Sequence, residues 1–195
     1  MRRHTPEHRR GLSRRAVLGA AMMFAAAPAI AADHPSIAYM KQFAKEMLNA
    51  HRQGTVGSFR KVIERHADVA AIADYSLGQY RKKLPAGQKQ NYYGGFVTFM
   101  SRYFADQSRI YPIAKYEIGD AAADDGEVVI NSKVYLLSGQ SYTVVWRLSK
   151  NGSRYKVRDA KVLGFSMVYM QRGLFTSFIS KRNGDVEQLV AALTR

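Results

Sequence analysis

The chain has 195 residues, with 30 basic and 15 acidic side chains, a formal charge of +15 and no cysteine. That length suits one domain with a substantial core, and the lack of cysteine excludes disulfides and thiolate-metal sites. The positive surplus points to anionic partners such as nucleic acid or a membrane surface.

The first stretch changes that balance. Residues 1–31 read as an export signal. A basic region (Arg2, Arg3, Arg9, Arg10, Arg14, Arg15) precedes an apolar run over residues 16–29, and Ala29-Ile30-Ala31 has the small-x-small form of a cleavage site. The run is shorter than the about 20 apolar residues that cross a bilayer. Ser13-Arg14-Arg15-Ala16-Val17-Leu18 resembles the twin-arginine export motif, with Val17 for the usual Phe and Gly19 for the usual Lys. Removing six arginines and Glu7 takes the formal charge from +15 to +10 and leaves residues 32–195 as a single domain. Outside the cytoplasm nucleic acid is not an expected partner, whereas anionic lipid surfaces are.

Residues 35–52 place Ile37, Met40, Phe43, Ala44, Met47 and Leu48 at helical spacing, with Pro35 suited to the first turn. A second helix is predicted over 58–66, and Asp68 is placed to cap a third, VAAIADYSLGQYRKK, that fades at Leu84-Pro85. Residues 88–111 form the most aromatic helix, with Tyr92, Phe96, Phe99, Met100, Tyr103 and Phe104 in a broad stripe. Gly94-Gly95 interrupts it at about 1 kcal/mol per residue, a cost tolerable where another element packs closely.

After Tyr111 the period changes to two. Residues 115–118, 127–137 and a hairpin over 141–163 give about four strands, with Asp124-Asp125-Gly126 and Ser138-Gly139 as turns. Asn151-Gly152 is predicted to supply the positive φ angles of the hairpin turn. Tyr142, Val144, Trp146 and Leu148 share one face, and Thr143, Val145, Arg147 and Ser149 the other. A helix over 167–182 and a short one over 186–194 close the chain. The order implies an α+β fold, helices wrapped on one face of a curved, mainly antiparallel sheet. The hairpin is expected to wall an apolar cavity, and the helix after it to guard the opening.

No motif spells catalysis. Outside the signal no two histidines stand at ligand spacing, no G-x-S-x-G elbow or phosphate loop occurs, and Asp124-Asp125 sit in a turn signal. Ser166 reads as a helix cap. Asp159 interrupts an inward strand face and reads as a structural partner of an arginine, with a buried catalytic acid as the alternative. Basic residues interleave with aromatics in 79–93 and 147–158, a pattern that suits single strands of nucleic acid but equally a solvated strand face. The apolar surplus in Phe165, Met167, Val168, Met170, Leu174, Phe175 and Phe178 fits either an ordinary core or an adaptable cavity.

Four segments together resemble a known family. Ile72-Ala73-Asp74-Tyr75-Ser76-Leu77-Gly78-Gln79-Tyr80 is similar to its I-A-x-x-x-L-G-x-Y/W helix, and residues 88–111 to its following long helix. Tyr155-Lys156-Val157-Arg158-Asp159-Ala160 and Gly164-Phe165-Ser166-Met167 resemble its W-x-V-x-D-V strand and G-V-S-L/M helix start, with Tyr155, Ala160 and Phe165 as apolar departures. The family is the periplasmic lipid shuttle of the MlaC, or toluene-tolerance, type.

The resemblance implies a nuclear-transport-factor-2-like cone around an apolar cavity and a non-catalytic protein without cofactor. Its cargo would be phospholipid, with the headgroup exposed. Its partners would be an outer-membrane lipoprotein complex and an inner-membrane ABC transporter complex. Hopanoid, as carried by some family members, is an alternative cargo. On this reading Phe96, Met100, Tyr103, Phe104, Val145, Phe165, Met167, Met170 and Phe175 contact lipid, and Arg147 and Arg172 stand near the headgroup. An enzyme on the same cone, using Asp159, and an interaction module acting through its basic surface are the competing readings.

Overall fold

The computed structural model describes residues 34–195; the export-signal reading of 1–31 lies outside them. Helix α1 (Pro35–Gln53) starts on Pro35 and stops at Gly54, whose φ of 61° lets the chain leave through a left-handed turn. Its apolar stripe buries Ile37, Met40, Phe43 and Ala44. Helix α2 (Val56–His66) begins two residues before the predicted start, because the Thr55 hydroxyl caps it by accepting from the Ser58 amide. Helix α3 (Val69–Ser76) is capped by Asp68 as expected, its carboxylate accepting from the Ala71 amide.

The predicted continuation of α3 to Lys83 does not form as α-helix. At Gly78 φ turns positive (54°), and residues Gly78–Lys83 wind as 3-10 helix. The reason is crowding: a Cβ on Gly78 would lie 2.9 Å from Thr176 Cγ2 of the helix that crosses there.

Helix α4 (Lys89–Ile110) is the longest element, and Pro112 prevents its extension. Five antiparallel strands follow in sequence order: β1 (Ile113–Asp124), β2 (Glu127–Leu136), β3 (Ser141–Asn151), β4 (Arg154–Val162) and β5 (Phe165–Ser166). Helices α5 (Met167–Ser180) and α6 (Val186–Leu193) end the chain. The sheet therefore has one more strand than expected, the two-residue β5, which pairs Val162 with Phe165 and Lys161 with Ser166. Strand β1 also outruns its predicted 115–118. Its second half, Ala121-Ala122-Ala123, lacks the β-branched residues that mark strands and is held by pairing to Val128–Ile130.

Two turns show how residue chemistry selects geometry. Asp125 (φ 48°) and Gly126 (φ 76°) both adopt the left-handed conformation of a two-residue hairpin loop. In the β3–β4 hairpin, Asn151 pairs with Arg154, so the loop is Gly152-Ser153 rather than Asn151-Gly152. Gly152 alone carries positive φ there, at 60°.

Buried side chains fall into two clusters. One joins Met40, Phe43, Phe59, Val62 and Ala105 to Ile130, Leu148 and Tyr155, between the first helices and the sheet. The other joins Ala73, Leu77, Tyr92, Phe96, Phe175, Ile179, Leu189 and Leu193, helix against helix. Each large apolar side chain in them contributes about 1.5–3 kcal/mol by burial. The α2–α3 joint is stitched to the sheet, since the Asp68 amide donates to the Val157 carbonyl at 2.9 Å. Among the described residues no helix is long and apolar enough to cross a membrane.

The glycine pair in α4 has the close neighbour its sequence implied, at one position. A Cβ on Gly95 would stand 2.8 Å from Leu193 Cβ and 3.3 Å from the Leu193 backbone of α6, whereas Gly94 has nothing within 4 Å. Gly95→Ala should therefore destabilise by about 1–3 kcal/mol through overpacking. Gly94→Ala should stabilise by up to about 1 kcal/mol through helix propensity. Urea unfolding of the two variants checks the opposite signs.

Candidate functional site

An apolar cavity of about 750 Å³ lies between the inner face of the sheet and helices α1, α2, α4 and α5. Alternation along the strands builds its floor: Tyr142, Val144 and Trp146 from β3, Val134 and Leu136 from β2, and Tyr116 from β1. In β4 the alternation changes phase. Leu148 pairs with Val157 and Arg147 with Asp159, so Arg158 is the extra residue of a bulge. Val157 lines the cavity before it, and Ala160 and Val162 line it after.

The helical wall is formed by Phe96, Met100, Tyr103, Phe104 and Gln107 of α4, and by Met167, Val168 and Gln171 of α5. The two walls meet at the base, where Phe175 packs edge-on against Phe96 and Phe99 with ring centroids 6.1 and 5.5 Å apart. They part toward Tyr111, Gln140, Ser141 and Leu163, exposed residues that form the rim. Leu163 is 69% exposed and holds φ at 51°, a conformation uncommon outside glycine and asparagine.

Polar groups in the lining are neutral or engaged. The Trp146 indole donates to Ser132 Oγ at 2.8 Å. Burial, with Tyr142 adding to it, pushes the Tyr116 phenol well above its ordinary value, and burial also raises Tyr142. His51 accepts the Ile113 amide on Nε2 at 2.9 Å, tying the end of α1 to the start of β1. Asp159 Oδ1 accepts the amides of Ala160 at 2.8 Å and Val168 at 3.1 Å. The arginine partner expected for Asp159 is thus replaced by two backbone donors, one in the first turn of α5. Arg158 beside it pairs with Asp68 instead. Ser166 caps α5 as expected, accepting from the Tyr169 amide at 3.0 Å.

Of the sequence-predicted lipid contacts, Phe96, Met100, Tyr103, Phe104 and Met167 stand in the lining. The others stand elsewhere, for distinct reasons. Val145 and Arg147 alternate with the lining residues of β3 and so face the opposite side of the sheet. There Arg147 is bound to Glu127 at 2.7 Å and Asp124 at 2.9 Å. Phe165 and Met170 are exposed, and Phe175 is buried in the helical cluster below the cavity. Arg172 lies over the Tyr75 ring at 4.8 Å and opens onto a separate small cleft with Asp74, Arg81 and Arg158.

The sequence reading missed the contribution of the first helices. Phe43, Met47 and His51 line the cavity from α1, and Phe59, Val62 and Ile63 from α2. Their signal was present in the i, i+4, i+8 spacing of Phe43, Met47 and His51. It also missed Gln171, the polar member of the α5 lining beside Met167 and Val168. His66 is buried outside the lining, between Glu46 (3.0 Å) and the Tyr39 hydroxyl (3.2 Å). Among the described residues no cluster could hold a metal ion.

The family model of the MlaC protein matches residues 37–195. Among solved structures, a phospholipid-binding protein from Ralstonia solanacearum, in complex with a phospholipid, aligns with a TM-score of 0.66. It is 23% identical, and the alignment covers 83% of this chain and 95% of that one, a likeness that shows the shared α+β fold. No curated protein matches the chain at a significant level.

Burial holds the His51 pKa below the ordinary value of an imidazole, although a hydrogen bond to the Tyr111 backbone works the other way. The folded protein thus binds the proton less readily than the unfolded chain. Stability from neutral His51 is fully present above the unfolded value of about 6.5 and is lost as pH falls through the lower folded value. Replacing His51 with Gln should flatten the acid limb of stability in that window, read as the unfolding midpoint between pH 7.5 and 5.

Proposed function

The chain belongs to the MlaC family, and from that membership we propose that it is a periplasmic carrier of phospholipid. The acyl chains occupy the cavity and the headgroup stays at the rim. The observation that carries the reading is the cavity itself: about 750 Å³, walled by aromatic, aliphatic and methionine side chains, with exposed residues around its opening. That volume lies within the roughly 300–1,000 Å³ range of ligand sites. Length agrees as well. From Phe96 to Gln107 the α4 wall runs about 16 Å at 1.5 Å per residue, and one leaflet's chains span roughly 15 Å, half of a hydrocarbon core of about 30 Å. The phospholipid bound by the Ralstonia solanacearum protein on the same fold supports the choice of cargo.

The physical problem for such a carrier is transfer through water. Exposed acyl chain costs about 0.8 kcal/mol per CH₂, so a diacyl lipid alone faces a barrier of roughly 20 kcal/mol or more. An apolar cavity removes most of that barrier at loading and again at delivery. Near-parity with the membrane serves the protein better than tight binding, because the cargo must leave.

Residues 1–31 act as the export signal on this reading, and residues 32–195 work between the outer and inner membranes. There the protein exchanges lipid with an outer-membrane lipoprotein complex and an inner-membrane ABC transporter complex. The basic surface favours approach to anionic headgroups or acidic partner patches. No reaction is assigned to Asp159, whose Oδ1 already accepts two backbone amides and holds α5 to β4.

Purified protein analysed by native mass spectrometry should carry phospholipid, released and identified by solvent extraction. Val162, half-buried in the lining, tests where it sits. Val162→Trp should fill the space and cut retained lipid severalfold while circular dichroism stays unchanged. Undiminished lipid in that variant would place the cargo outside the cavity.

A further inference from the structure

The two ends of the sheet differ in chemistry. At one end the connections are polar: Asp125 and Gly126 turn β1 into β2, and Gly152 and Ser153 turn β3 into β4. At the other end, where the cavity opens, the α4–β1 joint, the β2–β3 turn and the β4–β5 turn come together. Ile113 pairs there with Leu136, Tyr135 with Ser141 and Val162 with Phe165, and the Leu137 amide donates to the Pro112 carbonyl at 2.8 Å. Each of the three connections exposes large apolar side chains. Leu137, Leu163 and Phe165 are 71, 69 and 68% exposed, more than any other large apolar residue among those described, and Ile110 and Tyr111 are exposed beside them. Tyr111 and Leu163 also line the cavity, so apolar surface runs from its interior onto the outside. Residues 107–116, 134–144 and 160–168, which build this end, contain Arg109, Lys115 and Lys161 and no Asp or Glu. Arg109 and Lys115 pair with Asp106 and Glu117 just beyond those segments, in exposed contacts of little strength.

Resting on the carrier reading above, we propose that this end of the sheet docks on an anionic phospholipid bilayer, with Leu137, Leu163 and Phe165 inserted at the boundary between headgroups and acyl chains. A concentration of exposed apolar side chains marks an interaction site, and its form here suits lipid. The side chains stand on separate loop tips around an opening. A fluid bilayer accepts such tips as they are, whereas a protein partner would have to supply a matching surface. Tyr111, apolar in its ring and polar at its hydroxyl, suits the headgroup level. The three cations favour an anionic surface, and no carboxylate within these segments opposes it. Insertion is peripheral, because no described helix is long and apolar enough to cross a membrane, and a few apolar tips with positive charge bind reversibly. In that pose the mouth faces the bilayer, and acyl chains pass from one apolar phase to the other without crossing water.

The test is flotation of the exported protein with vesicles of phosphatidylethanolamine and phosphatidylglycerol. Wild type should float with them, and part of the binding should persist in high salt, which screens charge but not burial. Leu137→Ser and Phe165→Ser, neither of them in the cavity lining, should each weaken binding about tenfold, the factor that burial of one such side chain carries, with melting unchanged. The chain has no cysteine, so Leu137→Cys and Ser153→Cys place a single environment-sensitive fluorophore at either end of the sheet. Its emission should shift to the blue on adding vesicles at residue 137 and not at residue 153. Wild type that stays out of the floating fraction overturns the docking and assigns the apolar end to a protein partner. Binding that both serine variants keep in full, binding that salt abolishes, or a shift at residue 153 instead of 137 overturns it equally. Solvent extraction of the same protein separates the two readings: recovered phospholipid leaves the carrier standing where docking fails, and its absence overturns both.

Discussion

An apolar cavity stands between the inner face of the sheet and the helices that cover it, and that gap governs the molecule. Apolar positions recur along four strands, and α4 and α5 meet where Phe175 packs against Tyr92, Phe96 and Phe99. Above that contact they part, and the uncovered apolar surface becomes a cavity instead of a core. A void of this size forfeits the dispersion contacts that its lining would make in a packed interior. Stability must come from its margins. The two clusters of buried side chains flank the empty region, one against the sheet and one among the helices.

What holds the margins apart is chiefly backbone geometry. The bulge at Arg158 reverses the alternation of β4, so Val157 and Val162 both face inward although an even number of residues, four, lies between them. The same bulge brings Asp159 to the first turn of α5, where its carboxylate accepts the Val168 amide. A carboxylate at a helix N-terminus meets unpaired N–H donors and a favourable dipole, so one residue fixes where the helix leaves the sheet. Gly95 sets the opposite margin by letting α6 press on α4. Asp159 stands in the cavity lining, whereas Gly95 does not.

Much of the architecture was legible in the sequence because it rests on local rules. Period changes separated helices from strands, Asp68 and Ser166 announced their caps, and Gly94-Gly95 announced a close approach. Most of what was not legible depends on partners distant in sequence. Ala121–Ala123 is a strand because β2 pairs with it, and α3 stops at Ser76 because α5 crowds Gly78. Residues on α5 were read as lining from their apolarity alone, yet helix rotation leaves Met170 exposed and turns Gln171 inward. Val145 was chosen from the wrong face of β3, although Trp146 and Val144 already marked the inward one. The α1 wall of Phe43, Met47 and His51 could have been read from its spacing, but nothing local says that such a stripe borders a void.

A carrier must be stable when empty and still gain by filling, and these demands oppose each other. Closing the cavity with larger side chains would restore packing and remove the reason to bind. Lining it only with hydrocarbon would retain any apolar molecule of suitable width, since dispersion and burial are indifferent to chemistry.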